Sequence, residues 1–168
     1  GIVVAAEPTD WQEASFAENL TIRNNTVRNT SRQKGQPGQE QTAGIAITSD
    51  YGWVGGQHAN ILVEGNTIEN VAGANLIVNL ADGVQVVSNR FVNTHEVSTT
   101  NGTNVGIDPA SVIWVDEASN VSFAGNTVEG LGAYGENLLR RSGQATGLVG
   151  AGTGIRLVHD GSYEVVAD

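Results

Sequence analysis

Asp116, Trp114 and Arg156 are the residues here whose types could do chemistry together, provided the backbone brings them to one surface. An exposed indole beside a carboxyl and a guanidinium suits a sugar. The ring stacks on pyranose C–H faces while the polar groups hold hydroxyls. Glycoside hydrolysis asks for two carboxyl groups, about 5–5.5 Å apart for retention and about 6.5–9.5 Å for inversion. Asp116 is the first candidate for that work, with Asp50 or Glu117 as its catalytic partner and Asp160 as a substitute. Trp114, Arg156, Asn79, Trp53, His159 and Asp160 are the candidate substrate-binding residues. The plainer alternative is a surface tryptophan beside a salt-bridged Asp116–Arg156 pair.

The elements that must position these groups are written in a repeat. Asn19-Leu-Thr-Ile-Arg-Asn-Asn25-Thr-Val-Arg-Asn29 returns as Asn60-Ile-Leu-Val-Glu-Gly-Asn66-Thr-Ile-Glu-Asn70. It returns again as Gly83-Val-Gln-Val-Val-Ser-Asn89-Arg-Phe-Val-Asn93 and as Asn120-Val-Ser-Phe-Ala-Gly-Asn126-Thr-Val-Glu-Gly130. A unit too small to bury its own apolar face must stack on copies of itself. Ahead of each unit lies a further strand: Gly1-Ile-Val-Val4, Gly44-Ile-Ala-Ile47, Asn75-Leu-Ile-Val78 and Val112-Ile-Trp-Val115, with Gly154-Ile-Arg-Leu157 read as the fifth. Each repeat is therefore expected to hold three short strands. Period-2 alternation turns Ile2, Ile45, Leu76, Ile113 and Ile155 inward from the first strand, with Ile22, Val63, Val86 and Phe123 from the second. The third contributes Val27, Ile68, Phe91 and Val128.

Stacked in this way, outward residues fall into rows. Val3, Ala46, Ile77, Trp114 and Arg156 form one; Ala5, Thr48, Asn79, Asp116 and Val158 form the next. Repeat starts lie 43, 31, 37 and 42 residues apart, against about 22–25 for a bare three-strand repeat, so the surplus is looped out. The loops flank the first strand, at residues 6–18 and 49–59 after it and 31–43, 95–110 and 132–153 before it. They would wall a groove floored by the two rows and add Tyr51, His58 and His95 to it. Asn25, Asn66, Asn89 and Asn126 share one turn. There an asparagine tolerates left-handed backbone and its amide can bond to the next repeat, which makes these residues structural and their sequons incidental. Arg28 beside Glu69, and Arg23 beside Glu64, read as solvated cross-strand pairs.

The pattern Gly-Ile-x-Val…Asn-Val-x-Ile-x-x-Asn-x-Ile-x-Asn resembles the right-handed parallel β-helix superfamily, the pectate-lyase-like fold of many carbohydrate-active proteins. The resemblance covers residues 1–168 as one domain. It implies an all-β, right-handed single-stranded parallel β-helix of about five coils, three short strands each, with long loops on one side. It also implies a glycan partner and an extracellular or cell-surface location. Glycosidases of this type, including bacterial galactosidases with similar degenerate coils, are the nearest class. Lyases and epimerases of the superfamily usually employ Lys or Arg as base, often with calcium. Here Lys34 lies in a loop, and Arg140, Arg141 and Arg156 are the basic residues near the groove.

Composition narrows the choice. Eighteen acidic against eight basic residues give a net charge of −10, which repels a phosphate backbone and disfavours nucleic acid or a heavily anionic polysaccharide. Neutral glycans meet no such penalty. Without cysteine there is neither a disulfide framework nor a thiolate site. No apolar run reaches the roughly 18–20 residues of a membrane helix. The three histidines lack zinc-site spacing, and the glycines around 150–154 precede a strand rather than opening a helix, so they read as a turn. No cofactor is required, although calcium could bind acidic loops around Asp50 or Asp116-Glu117, where no spaced ligand motif appears. Both ends break off within the pattern, Gly1 inside a first strand and Ser162-Tyr-Glu-Val-Val166 as the second strand of a fifth coil, so the remainder of a longer solenoid or a capping chain is expected there. The reading is a glycoside hydrolase, or part of one, on a neutral poly- or oligosaccharide. The alternative is a non-catalytic glycan-binding or structural β-helix, such as an adhesin or stalk.

Overall fold

The computed structural model describes residues 1–6, 15–30, 43–49, 57–98, 110–141, 145–159 and 162–164. These residues are all-β and contain no helix. Strands run from β1 (Ile2–Ala6), β2 (Thr21–Arg23), β3 (Thr26–Arg28) and β4 (Ile45–Ser49) to β5 (His58–Glu64), β6 (Thr67–Glu69) and β7 (Leu76–Val87). Then follow β8 (Arg90–Thr94), β9 (Ser111–Ser119), β10 (Ser122–Ala124), β11 (Asn126–Leu131), β12 (Asn137–Arg141), β13 (Ile155–His159) and β14 (Ser162–Glu164). They form an eight-stranded and a six-stranded sheet, with every pairing parallel except that of β13 with β14.

Corners are set by residues that accept a left-handed backbone. Asn19, Asn60, Gly83 and Asn120 have positive φ at the entry to the second strand, as do Asn24, Gly65, Ser88 and Gly125 at its exit. Asn29, Asn70, Asn93 and Gly130 do the same after the third. Asparagine and glycine are the residues that visit this region at little cost, which is why they recur at these intervals. The left-handed residue is thus the one before each of Asn25, Asn66, Asn89 and Asn126. Those four are freed to stack, and the expectation of a left-handed backbone at them is corrected.

Between corners, alternation sorts the side chains as the repeat predicts. Ile2, Ile45, Leu76, Ile113 and Leu139 stand in one register row. Ile22, Val63, Val86 and Phe123 form a second, and Val27, Ile68, Phe91, Val128 and Leu157 a third. All three rows contribute to one apolar core.

Asn66, Asn89 and Asn126 are fully buried along that core. Each accepts, through Oδ1, both the backbone N–H and the Nδ2–H of the asparagine one repeat earlier, at 2.9–3.0 Å. Each donates its own Nδ2–H to the carbonyl of Ile22, Val63 or Val86 respectively. This satisfies the polar atoms that burial would otherwise penalise. Outside, Arg28 pairs with Glu69 at 3.8 Å, while Arg23 is in register with Glu64. A two-pronged pair that spacing alone did not indicate joins Arg90 to Glu129, at 2.9 and 2.8 Å. The hydrogen bond from Arg90, and then its charge, hold the Glu129 carboxyl below its usual range against the effect of burial.

The last repeat differs from expectation. Ile155 does not continue the row of Ile113; β13 pairs with β11, so Gly154-Ile-Arg-Leu157 is a third strand. The first strand of that repeat is β12, which pairs with β9 and places Leu139 opposite Ile113. Its second strand is reduced to bridges from Thr146 to Ser119 and from Val149 to Ser122. Gly154 owes its identity to crowding: a Cβ there would strike the backbone of Phe123. The glycine that suggested a strand start marks a tight corner instead. Two further corrections apply. In the third repeat the first and second strands are continuous as β7, turning through left-handed Leu80, while in the fourth β9 turns through left-handed Glu117 and ends at Ser119, before the second strand β10. The segment after residue 161, read as another second strand, is β14, a hairpin partner of β13.

Candidate functional site

The site is built on the face of the first-strand sheet opposite the core. Parallel register sets Val3 beside Ala46, Ala46 beside Ile77, Ile77 beside Trp114, and Trp114 beside Arg140. One step on, Ala5 lies beside Thr48 and Asn79 beside Asp116. Asn79 and Asp116 are therefore neighbours, as the repeat spacing requires. Arg156 is not in this row. It stands opposite Thr127 in the other sheet, and Arg140 takes the place beside Trp114. The reason is the misplaced first strand of the last repeat, so the expected Trp114–Asp116–Arg156 constellation is corrected. His159 ends β13, which carries it into the other sheet, and Val158 leaves its expected row with that strand. The side chain of His159, and all of Asp50, Tyr51, Trp53 and Asp160, lie outside the described residues.

This face is not a wet floor. Trp114 is only 3% exposed and packs with Ala43, Ala46, Ala74 and Ile77 in a second apolar cluster, separate from the core. An indole so enclosed offers no stacking surface, which corrects the expectation of an exposed tryptophan platform. The polar row beside it is enclosed too: Thr48 and Asn79 are each 1% exposed and Asp116 6%.

Asp116 is a carboxyl kept among apolar and uncharged neighbours. Burial pushes its pKa above the usual aspartate range, and a 2.9 Å hydrogen bond from the Glu117 N–H to its Oδ1 only partly offsets this. Glu117, at φ 43°, turns the strand at the next residue. Its own pKa is raised by burial first and by the charge of Asp116 second. Two adjacent carboxyls are thus both raised above their usual ranges by burial, the direction in which an environment favours the neutral acid.

That shift makes a stability prediction. Because the folded pKa is raised, the unfolded chain loses the Asp116 proton first as pH climbs, and folding stability falls until the folded group also ionises. Asp116→Asn cannot ionise, and its amide oxygen can still accept the Glu117 N–H. The variant is expected to melt above the parent at neutral pH, with the difference shrinking toward zero in acid below the ordinary aspartate pKa. Thermal unfolding across that pH range measures it, and a pH-independent difference would contradict it.

No family model, curated protein or solved structure matches this chain. The chemistry therefore rests on the residues themselves.

His58 and His95 are structural. His58 is fully buried; its Nδ1 accepts the Ala17 N–H at 3.0 Å, leaving Nε2–H to donate to the Thr48 carbonyl at 2.7 Å. Burial lowers its pKa, which favours the neutral ring this pattern needs. His95 is also fully buried, its backbone bonded to Val71 and Tyr134. Asp82 is held by donors from Ser119 and Asn120 at 2.6 and 2.7 Å, which keep its pKa low. Among the described residues, no three His, Asp or Glu side chains converge on a metal position. One exposed aromatic was missed: Tyr134, 53% exposed, sits in the turn before β12. That turn packs on the corner at His95 and Glu96, near a shallow groove lined by Asn70, Asn93, Glu96 and Val97. The only signal in the sequence was its place in a loop between repeats.

Proposed function

We propose that the chain winds as a right-handed parallel β-helix of the pectate-lyase-like kind and acts on a neutral extracellular glycan as a glycoside hydrolase, with Asp116 as proton donor. Supporting the winding is the register, in which the same three-strand order advances repeat after repeat in parallel pairing. The chemistry is carried by one observation. Asp116 is a carboxyl raised in pKa by burial, on the face away from the core, with a second carboxyl next to it. A neutral acid so placed would protonate the departing glycosidic oxygen, while Glu117, or Asp50, would serve as the second carboxylate. No cofactor is needed for this reaction. The net charge of −10 favours an uncharged substrate.

A second reading, a glycan-binding or structural β-helix, is favoured by the enclosure of Trp114. The two part company in one experiment. The protein is screened for binding and for reducing-end release on neutral oligosaccharides, then compared with Asp116→Asn. Loss of turnover by about 10²- to 10⁴-fold with binding retained is the expected result. Unchanged turnover in the variant removes Asp116 from the reaction. Binding without turnover, or neither, selects the second reading.

A further inference from the structure

We propose that Asn79 and Asp116 share a single proton, the neutral Asp116 carboxyl donating to the Asn79 amide oxygen, so that Asn79 is the positioning residue that keeps the acid protonated. The functional half of this rests on the hydrolase reading above; the proton-sharing half does not.

The geometry begins with register. Asn79 and Asp116 are paired residues of adjacent parallel strands, β7 and β9, and paired residues in a parallel ladder project from the same face at neighbouring positions. Asn79 is 1% exposed, and its Oδ1 is buried with no hydrogen-bond partner. A buried amide oxygen left unmet costs about 1–3 kcal/mol, so such an atom needs a donor. The neighbouring row position supplies one only when Asp116 carries a proton. With the Asn79 amide turned as it is, oxygen inward, an ionised Asp116 offers that oxygen only a further acceptor and no donor. Asp116 Oδ1 is already engaged by the Glu117 N–H, which leaves Oδ2 as the oxygen to hold the proton.

Other charges on the described elements work in opposite directions and supply no competing donor at this position. Glu117 follows on the same strand; its carboxyl is raised by burial first and by the charge of Asp116 second, and when ionised it carries no donor. Arg140 on β12 is exposed and in register with Trp114, one row away. From β7 the face offers Ile77 and Asn79, and from β4 it offers Thr48, whose hydroxyl donates to the Ser49 carbonyl at 3.5 Å. The upward shift of Asp116 through burial agrees with the arrangement. A hydrogen bond made only by the neutral acid would add to that shift.

The test needs no glycan. In protein labelled with carbon-13 at asparagine and aspartate side chains, the Asn79 Cγ resonance is followed while Asp116 titrates. The expected result is one common midpoint for Asn79 Cγ and Asp116 Cγ, with the Asn79 response abolished in Asp116→Asn and retained in Glu117→Gln. Asn79→Leu keeps the site dry but removes the acceptor, and should lower the Asp116 midpoint by on the order of one unit. An Asn79 resonance that stays flat through the Asp116 midpoint overturns the pair, as does a response that survives Asp116→Asn. Should Asn79→Leu not fold, the parent protein's own co-titration decides. For the hydrolase, the alkaline limb of the turnover–pH profile should move down with the midpoint in Asn79→Leu. Co-titration without any glycan turnover would leave the shared proton standing and discard only the enzymatic role.

Discussion

Replacing Asn89 with alanine is expected to lower unfolding free energy by about 3–6 kcal/mol, far more than the same change at Asn25. Alanine at 89 strips the acceptor from the Asn66 backbone N–H and Nδ2–H, and the donor from the Val63 carbonyl. Asn66 and Asn89 are both fully buried, so water does not replace these bonds. Each orphaned buried group costs about 1–3 kcal/mol. At Asn25 the arithmetic differs. Its Nδ2–H reaches the Arg23 carbonyl and the Asn66 oxygen, and that oxygen keeps the Asn25 backbone N–H when the side chain is lost. Asn25→Ala should therefore cost about 1 kcal/mol or less. Denaturant unfolding of both variants measures the contrast. Similar losses at the two positions would mean that the stack is ornament rather than support.

Phe91→Ala should rank beside it, at about 3–5 kcal/mol. Among the described residues Phe91 is the largest fully buried side chain, and it lies between Ile68 and Val128 in the third-strand row. Neighbours on backbones pinned by parallel ladders can collapse only partly into the gap, so a cavity term adds to the lost transfer energy. Phe91→Leu retains most of the volume and should cost much less. A loss near 1 kcal/mol in Phe91→Ala would show that this region repacks freely.

Much of this architecture was legible because the repeat carries two independent marks. Asparagine and glycine at corners gave the period, and alternating Ile, Val and Phe gave the inward face; both survive in the first four repeats. In the last repeat the marks separate. The first strand, Asn137–Arg141, ends in Arg140 and Arg141 and lacks a glycine–isoleucine start, while Gly154-Ile155 carries that start for steric reasons. Register then drifted by one strand, and Arg156 with it. The adjacency of Asn79 and Asp116 was readable because it needs only alternation and repeat length. The enclosure of Trp114 was not. Alternation states which face a side chain takes, whereas wetness depends on what the whole face carries, here Ala43, Ala46, Ala74 and Ile77. The unmet oxygen of Asn79 is likewise a property of three-dimensional neighbours and has no imprint in residue order.

Stacked amides also bear on how this molecule ages. Asparagine deamidates when the next residue's main-chain nitrogen attacks its side-chain carbon, and a carboxylate formed inside the ladder would bring an unpaired charge into a dry interior. The nitrogens that would attack Asn66, Asn89 and Asn126 belong to Thr67, Arg90 and Thr127. Each is tied to the carbonyl of the asparagine one repeat earlier, at 2.8–2.9 Å. The bonds that align the rungs thereby immobilise the nucleophile, and the interior amides should outlast those of the exposed corners.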